Sequence, residues 1–165
     1  MAYDRDIARC VGAADPTTSA TYAASSSAWA KGTAVISSDV TVTHSPAIAQ
    51  QDLRAQQGPK VAGCVGRAGT PALRSMLAGK GVQLTALSVT RLPGAPKDEY
   101  ALRLKMTMAA NGRTVTVYTD SYGFVRGDVE IGVTMVSTGS VPDMRVAGKA
   151  LVQLRKRAGT AVPTS

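Results

Sequence analysis

The chain has 165 residues, enough for one core of ordinary domain size. It carries a formal net charge of +8 and is 44% hydrophobic but only 4% aromatic, so its core must be aliphatic and rich in alanine. No apolar run reaches the roughly 18 residues that a membrane-crossing helix needs, and no basic start followed by an apolar stretch marks a signal peptide.

The pattern predicts a short first helix over Tyr3–Gly12, with Ile7 and Cys10 on one face. Asp15–Ser27, rich in Thr, Ser and Ala, reads as a small-residue linker that is ordered only against something larger. Thr33–His44 reads as a strand in which Val40 and Val42 alternate with Asp39, Thr41 and Thr43. Ser45-Pro46 then opens a helix, with serine as cap and proline at the first helical position, running to about Gln57. Gly58-Pro59 breaks it. Lys60–Arg67 forms a second helical piece bearing Cys64, and Thr70-Pro71 starts a third that ends at Gly79.

The second half changes character. Val82–Leu92 reads as a strand followed by a Pro/Gly-rich turn. Tyr100–Met108 alternates, with Leu102, Leu104, Met106 and Met108 on one side and Arg103, Lys105 and Thr107 on the other. Asn111-Gly112 is a strong hairpin turn, since both residues accept positive φ. Thr114–Thr119 returns, a turn is expected at Asp120–Gly123, and Val129, Ile131, Val133 and Met135 mark a further strand. Pro142–Ala158 reads as a closing helix capped by Ser140, with Ala147, Leu151, Leu154 and Ala158 in one stripe. This order is not the alternation that builds a parallel sheet. It predicts an α+β fold: a central antiparallel sheet with helices packed on its faces, as a single domain over 1–158, then a flexible tail over 159–165.

The search for chemistry returns little. His44 is the only histidine and falls at a strand end, where a partly exposed structural residue is the expectation. The acidic residues are few and scattered, so no paired-carboxylate site is expected. The inventory supplies neither a zinc set nor a calcium loop, and no cofactor is implied. Gly63, Gly66 and Gly69 lack the strand and the Lys-Ser/Thr of a phosphate loop. Arg155-Lys156-Arg157 is the one dense basic run; it reads as a helix-end cluster, has no interleaved aromatics, and no nucleic-acid partner is expected. Cys10 and Cys64, far apart and outside any CxxC motif, read either as packing thiols or as a single disulfide, which the extracellular look of the composition favours. Trp29 plugs a sheet edge or lines a ligand groove, while Tyr118, Tyr122 and Phe124 cluster near one turn and, with Arg126, are candidates for the border of a cleft.

Several segments together resemble a known group. They are Ser37-Ser38-Asp39-Val40-Thr41-Val42 with the Ala/Gln-rich helix after Ser45, Pro59-Lys60-Val61-Ala62-Gly63-Cys64, Val115-Thr116-Val117-Tyr118-Thr119-Asp120, and Gly123-Phe124-Val125-Arg126-Gly127. From Cys10 onward the chain resembles the extracytoplasmic lipoproteins and sensor ectodomains of actinobacteria. These include the external domain of PknH-type serine/threonine kinases and small lipoproteins with a PsbP-like α/β/α fold. The resemblance implies helices on both sides of the sheet, a bridge tying the first helix to the second helical region, and secretion with a lipid or membrane anchor. It also implies binding or sensing in place of catalysis.

The function expected is therefore a non-enzymatic, extracytoplasmic ligand-binding or sensor-type domain of the bacterial cell envelope. Its partner would be an envelope lipid, glycan or peptide, and Met1-Ala2 would stand where a membrane-proximal anchor was removed. The alternative is a protein–protein assembly domain using the sheet edge or the basic face, whose charge suits anionic partners.

Overall fold

The structure is a computed structural model that describes residues 2–161. In chain order its elements are α1 (Ala2–Val11), β1 (Ala20–Ser25), β2 (Trp29–Lys31), β3 (Ala34–Thr43), α2 (Pro46–Gln57), α3 (Val61–Leu77), β4 (Val82–Arg91), β5 (Glu99–Ala110), β6 (Arg113–Arg126), β7 (Val129–Thr138) and α4 (Met144–Ala161). The strands form one antiparallel seven-stranded sheet in the order β1-β3-β7-β6-β5-β4, with β2 also beside β3. The fold is α+β, as the sequence order indicates.

Local chemistry explains the joints. Ser45 Oγ accepts the Ile48 N–H at 3.4 Å and caps α2, with Pro46 at the helix start. Asn111 (φ 49) and Gly112 (φ 70) take left-handed backbone together, the pair of angles that a two-residue hairpin between twisted strands requires. From β3 the chain crosses over one sheet face as α2 and α3 before re-entering at β4, the far edge. On that face α2 lies against β5 and β6, and α3 against β4, where Leu87 meets Gly69. Gln57 at the end of α2 donates to the carbonyls of Lys97 (2.7 Å) and Glu99 (2.8 Å), fixing the helix to the start of β5.

α4 packs on the opposite face. Its Ala147 and Leu151 join Tyr122, Phe124, Ile131, Val133 and Met135 in the buried core. Arg155 lies over the Phe124 ring at 4.7 Å and pairs with Asp98 (2.9 Å) and Glu99 (2.6 Å). The first residue of the basic run is thus partly a clamp on the core.

Cys10 and Cys64 form a disulfide, with Cα atoms 5.8 Å apart, which joins α1 to α3. The Tyr3 ring packs where Gly69 leaves room, so the bridge and this contact hold α1 at two points.

Five expectations are corrected. The linker over 15–27 contains β1, which borrows order from the β3 backbone, from Ala20 opposite Thr43 to Ser25 opposite Asp39. The second and third helical pieces are one helix, α3, with Pro71 inside it; Thr70 Oγ1 donates to the Gly66 carbonyl (2.8 Å), giving that turn a side-chain bond. The turn at Asp120–Gly123 is strand: β6 runs straight through, because Asp120 finds a cross-strand arginine and Gly123 lies beneath a tyrosine. At the start of α4 the cap is Asp143, whose carboxylate accepts the Arg145 N–H at 3.0 Å. Residues 159–161 of the expected tail are the last part of α4, and 162–165 lie outside the described residues.

Candidate functional site

Two places on the sheet carry more than packing. The first is a groove on the α4 face. α4 covers β6 and β7 but not β3, so the inward residues of β3 face open space beside the helix. The floor is apolar: half-buried Ile36 and Val40 of β3 and Val129 of β7, beside the buried Ile131 and Val133. One wall is α4, through Ala150, Leu154 and Ala158. The other is the end of β1 and the chain leading into β2, from Ala24 to Trp29.

The groove has two contiguous hollows of about 510 and 500 Å³, sharing Ser26, Ser38, Leu154 and Arg157. Either falls within the roughly 300–1,000 Å³ of small-molecule sites. Trp29 stands at one end and is 77% exposed, a large indole left in solvent. Arg126 lines the other end, and Arg157 borders both hollows where they meet. Asp39 also borders this hollow, but its carboxylate lies over Gly132, while its neighbours Ser38 and Val40 line the groove.

The second place is an acidic row beneath α2. The sheet register puts Asp39, Gly132, Gly123 and Tyr100 side by side on four neighbouring strands. The two glycines make the floor over which the outer side chains extend. A Cβ at Gly132 would stand 2.5 Å from Asp39 Oδ2, and one at Gly123 would stand 2.6 Å from Tyr100 Cζ. Here glycine is required by close approach. Glu130 of β7 and Asp52 of α2 complete the group around a hollow of about 80 Å³, too small for an organic ligand.

Burial, the Asp52 charge and hydrogen bonding to Asp52, and then the Asp39 charge push the Glu130 carboxyl up to about 8. Glu130 Oε1 is buried without a hydrogen-bond partner. Asp52 is raised by burial, opposed by the Ala14 N–H at 2.7 Å and by Glu130. Asp39 is raised by burial. Burial, then the charges of Asp39 and Glu130, keep the Tyr100 phenol neutral. The row therefore holds a protonated carboxyl near neutral pH. Among the described residues no group of His, Cys, Asp or Glu has the arrangement of a metal site.

Two predictions arise from this row. Because the Glu130 pKa is raised on folding, its stabilising contribution is present below the usual glutamate value and is lost as pH rises toward about 8. Discounted for solvent around this half-buried group, the loss between pH 5 and 8 is on the order of 1–2 kcal/mol. Glu130→Gln should flatten that slope in urea unfolding at the two pH values; an unchanged slope would count against the raised Glu130 pKa. Gly123→Ala should cost about 1–3 kcal/mol by overpacking, and more than Gly132→Ala, since a rigid ring yields less than a carboxylate end. Equal costs in chemical unfolding would contradict the crowding.

The structure distributes the candidates named from sequence. Trp29 and Arg126 both line the α4 groove. Tyr122 and Phe124 are buried core, and Tyr118 lies beneath Lys105 at 5.9 Å, so these three do not join them. His44 is exposed at the end of β3. Sequence reasoning missed the acidic row, because its members come together only through register; Gly123 and Gly132 inside strands were the readable signal. A larger hollow of about 680 Å³ lies at the α3–β4 turn, walled mainly by turn and strand-end residues, with Arg74 its one charged side chain. Compared with protein-family models, curated proteins and solved structures, the chain shows no match.

Proposed function

We propose that the chain is a non-enzymatic ligand-binding domain of the lipoprotein or sensor type, working in an extracytoplasmic, oxidising part of the bacterial cell envelope. The observation that carries this reading is the open, apolar-floored groove beside α4, with Trp29 at one end and Arg126 at the other. A protein with no ligand to accommodate gains by covering such a floor. The Cys10–Cys64 bridge supports the compartment, since disulfides persist where thiols are not kept reduced.

Thermal shift against envelope lipids, glycans and wall fragments tests the reading. A bound ligand at a hundredfold excess over its Kd stabilises by about 2.7 kcal/mol, a readily measured rise in Tm. No shift with any class would remove the proposal. The edge strand β4 keeps one flank unpaired along its length, which favours a second reading as an assembly domain. Light scattering separates the two, because assembly through β4 gives a dimer or larger without any ligand.

A further inference from the structure

We infer that the α4 groove takes a fatty acid, with its single alkyl chain on the apolar floor and its carboxylate at Arg126. This rests on the ligand-binding reading and names its ligand class. The shape argues for one extended chain: the two hollows run into each other past Ser38 and Leu154, and together form a trough open to solvent, not a closed chamber. The floor residues Val40, Val129 and Ile131 offer an alkyl chain dispersion contacts but no hydrogen-bond partners.

Charge fixes the polar end. Arg126 is exposed at the groove mouth and, among the described residues, its guanidinium makes no hydrogen bond or ion pair. Asp98, which feels the Arg126 charge, is already bonded to Arg155 at 2.9 Å, and the Asp39 carboxylate lies over Gly132. Arg157 adds positive charge where the two hollows meet and has an interaction of its own. One uncommitted guanidinium matches one negative charge, and its planar fork matches a carboxylate. Hydrogen-bonding side chains such as Ser25, Ser26 and Ser38 line the groove beside the apolar floor, so a glycan is the competing occupant and an outcome of the thermal test. Trp29, the chain's one tryptophan, stands where the far end of the alkyl chain would arrive.

The test is a fluorescence titration of the full chain with dodecanoate, dodecanol and a phosphate-headed single-chain lipid, each below its micellar concentration, with calorimetry for affinity. Dodecanoate should shift Trp29 emission to the blue and bind about tenfold more tightly than dodecanol. Arg126→Ala, a surface change, should erase that difference while leaving dodecanol binding within about twofold. Shortening the acid by two methylenes should weaken it by about tenfold.

Equal binding of acid and alcohol, unchanged in Arg126→Ala, would overturn the anion assignment while leaving the groove as a ligand site. Preference for the phosphate-headed lipid would overturn the carboxylate. Binding of none of the three, or binding only after residues 162–165 are deleted, would overturn the inference; a thermal response to another envelope class would then still leave the broader reading standing.

Discussion

Replacing Cys10 and Cys64 together by serine is expected to lower the free energy of unfolding by about 4 kcal/mol, the chain entropy released by opening a loop of this length. The two cysteines are separated by 54 positions, and the loop they close includes β1, β2, β3 and α2. For a domain of ordinary stability, about 5–15 kcal/mol, this is a large share. For a chain of this size it corresponds to a fall in Tm of about 10 °C. The structure also says where the loss begins. α1 is held to α3 by the bridge and by Tyr3 over Gly69, so without the bridge α1 should exchange its amides before the sheet does. Urea unfolding and hydrogen exchange check both parts. A change below about 1 kcal/mol would mean that α1 docks by packing alone.

Asp120→Ala is expected to cost about 3–5 kcal/mol, the penalty for leaving one partner of a buried ion pair alone. Asp120 is fully buried in β6 and takes both ends of the Arg103 guanidinium, Nε at 2.7 Å and Nη2 at 2.6 Å. Tyr122 donates its hydroxyl to the same carboxylate at 3.2 Å. The hydrogen bond to Asp120 outweighs desolvation and holds the Arg103 guanidinium still more firmly protonated. The alanine variant thus strands a cation with little solvent access and a phenol with no acceptor. Asp120→Leu with Arg103→Met should recover much of the loss, because an apolar pair removes both charges at once. Chemical unfolding of the single and double variants measures this. A single-variant cost under 1 kcal/mol, or a double variant worse than the single, would contradict it.

Where alternation was clean, the sequence was legible. β5 and β7 carry their hydrophobics on every second residue, and Asn111-Gly112 names its own turn. β1 was illegible because Ala20–Ser25 is built from small residues, and its order comes from pairing with β3. Asp120 and Gly123 read as turn residues because a charge and a glycine inside a strand make sense only beside Arg103 and Tyr100. Pro71 reads as a helix start for the same reason: nothing local shows that α3 continues across it. At the site, Trp29 stood out as the chain's one tryptophan, whereas Arg126 was named only beside Tyr118, Tyr122 and Phe124, which lie elsewhere. The apolar floor between them did not, because Val40, Ile131 and Leu154 look like any core residues until α4 is seen to leave β3 uncovered. The acidic row depends on register across four strands, which spacing along the chain does not encode.

Amide chemical-shift mapping during titration with an envelope lipid extract reads out most directly whether the trough beside α4 is where this protein meets its ligand. The account predicts shifts that concentrate on Ser26–Trp29, on Ile36–Val40 and on the Ala150–Ala158 stretch of α4, with the indole N–H of Trp29 among the largest. Shifts that gather instead around Arg74 and Asn111 at the opposite hollow, or a spectrum unmoved by every fraction, would contradict it.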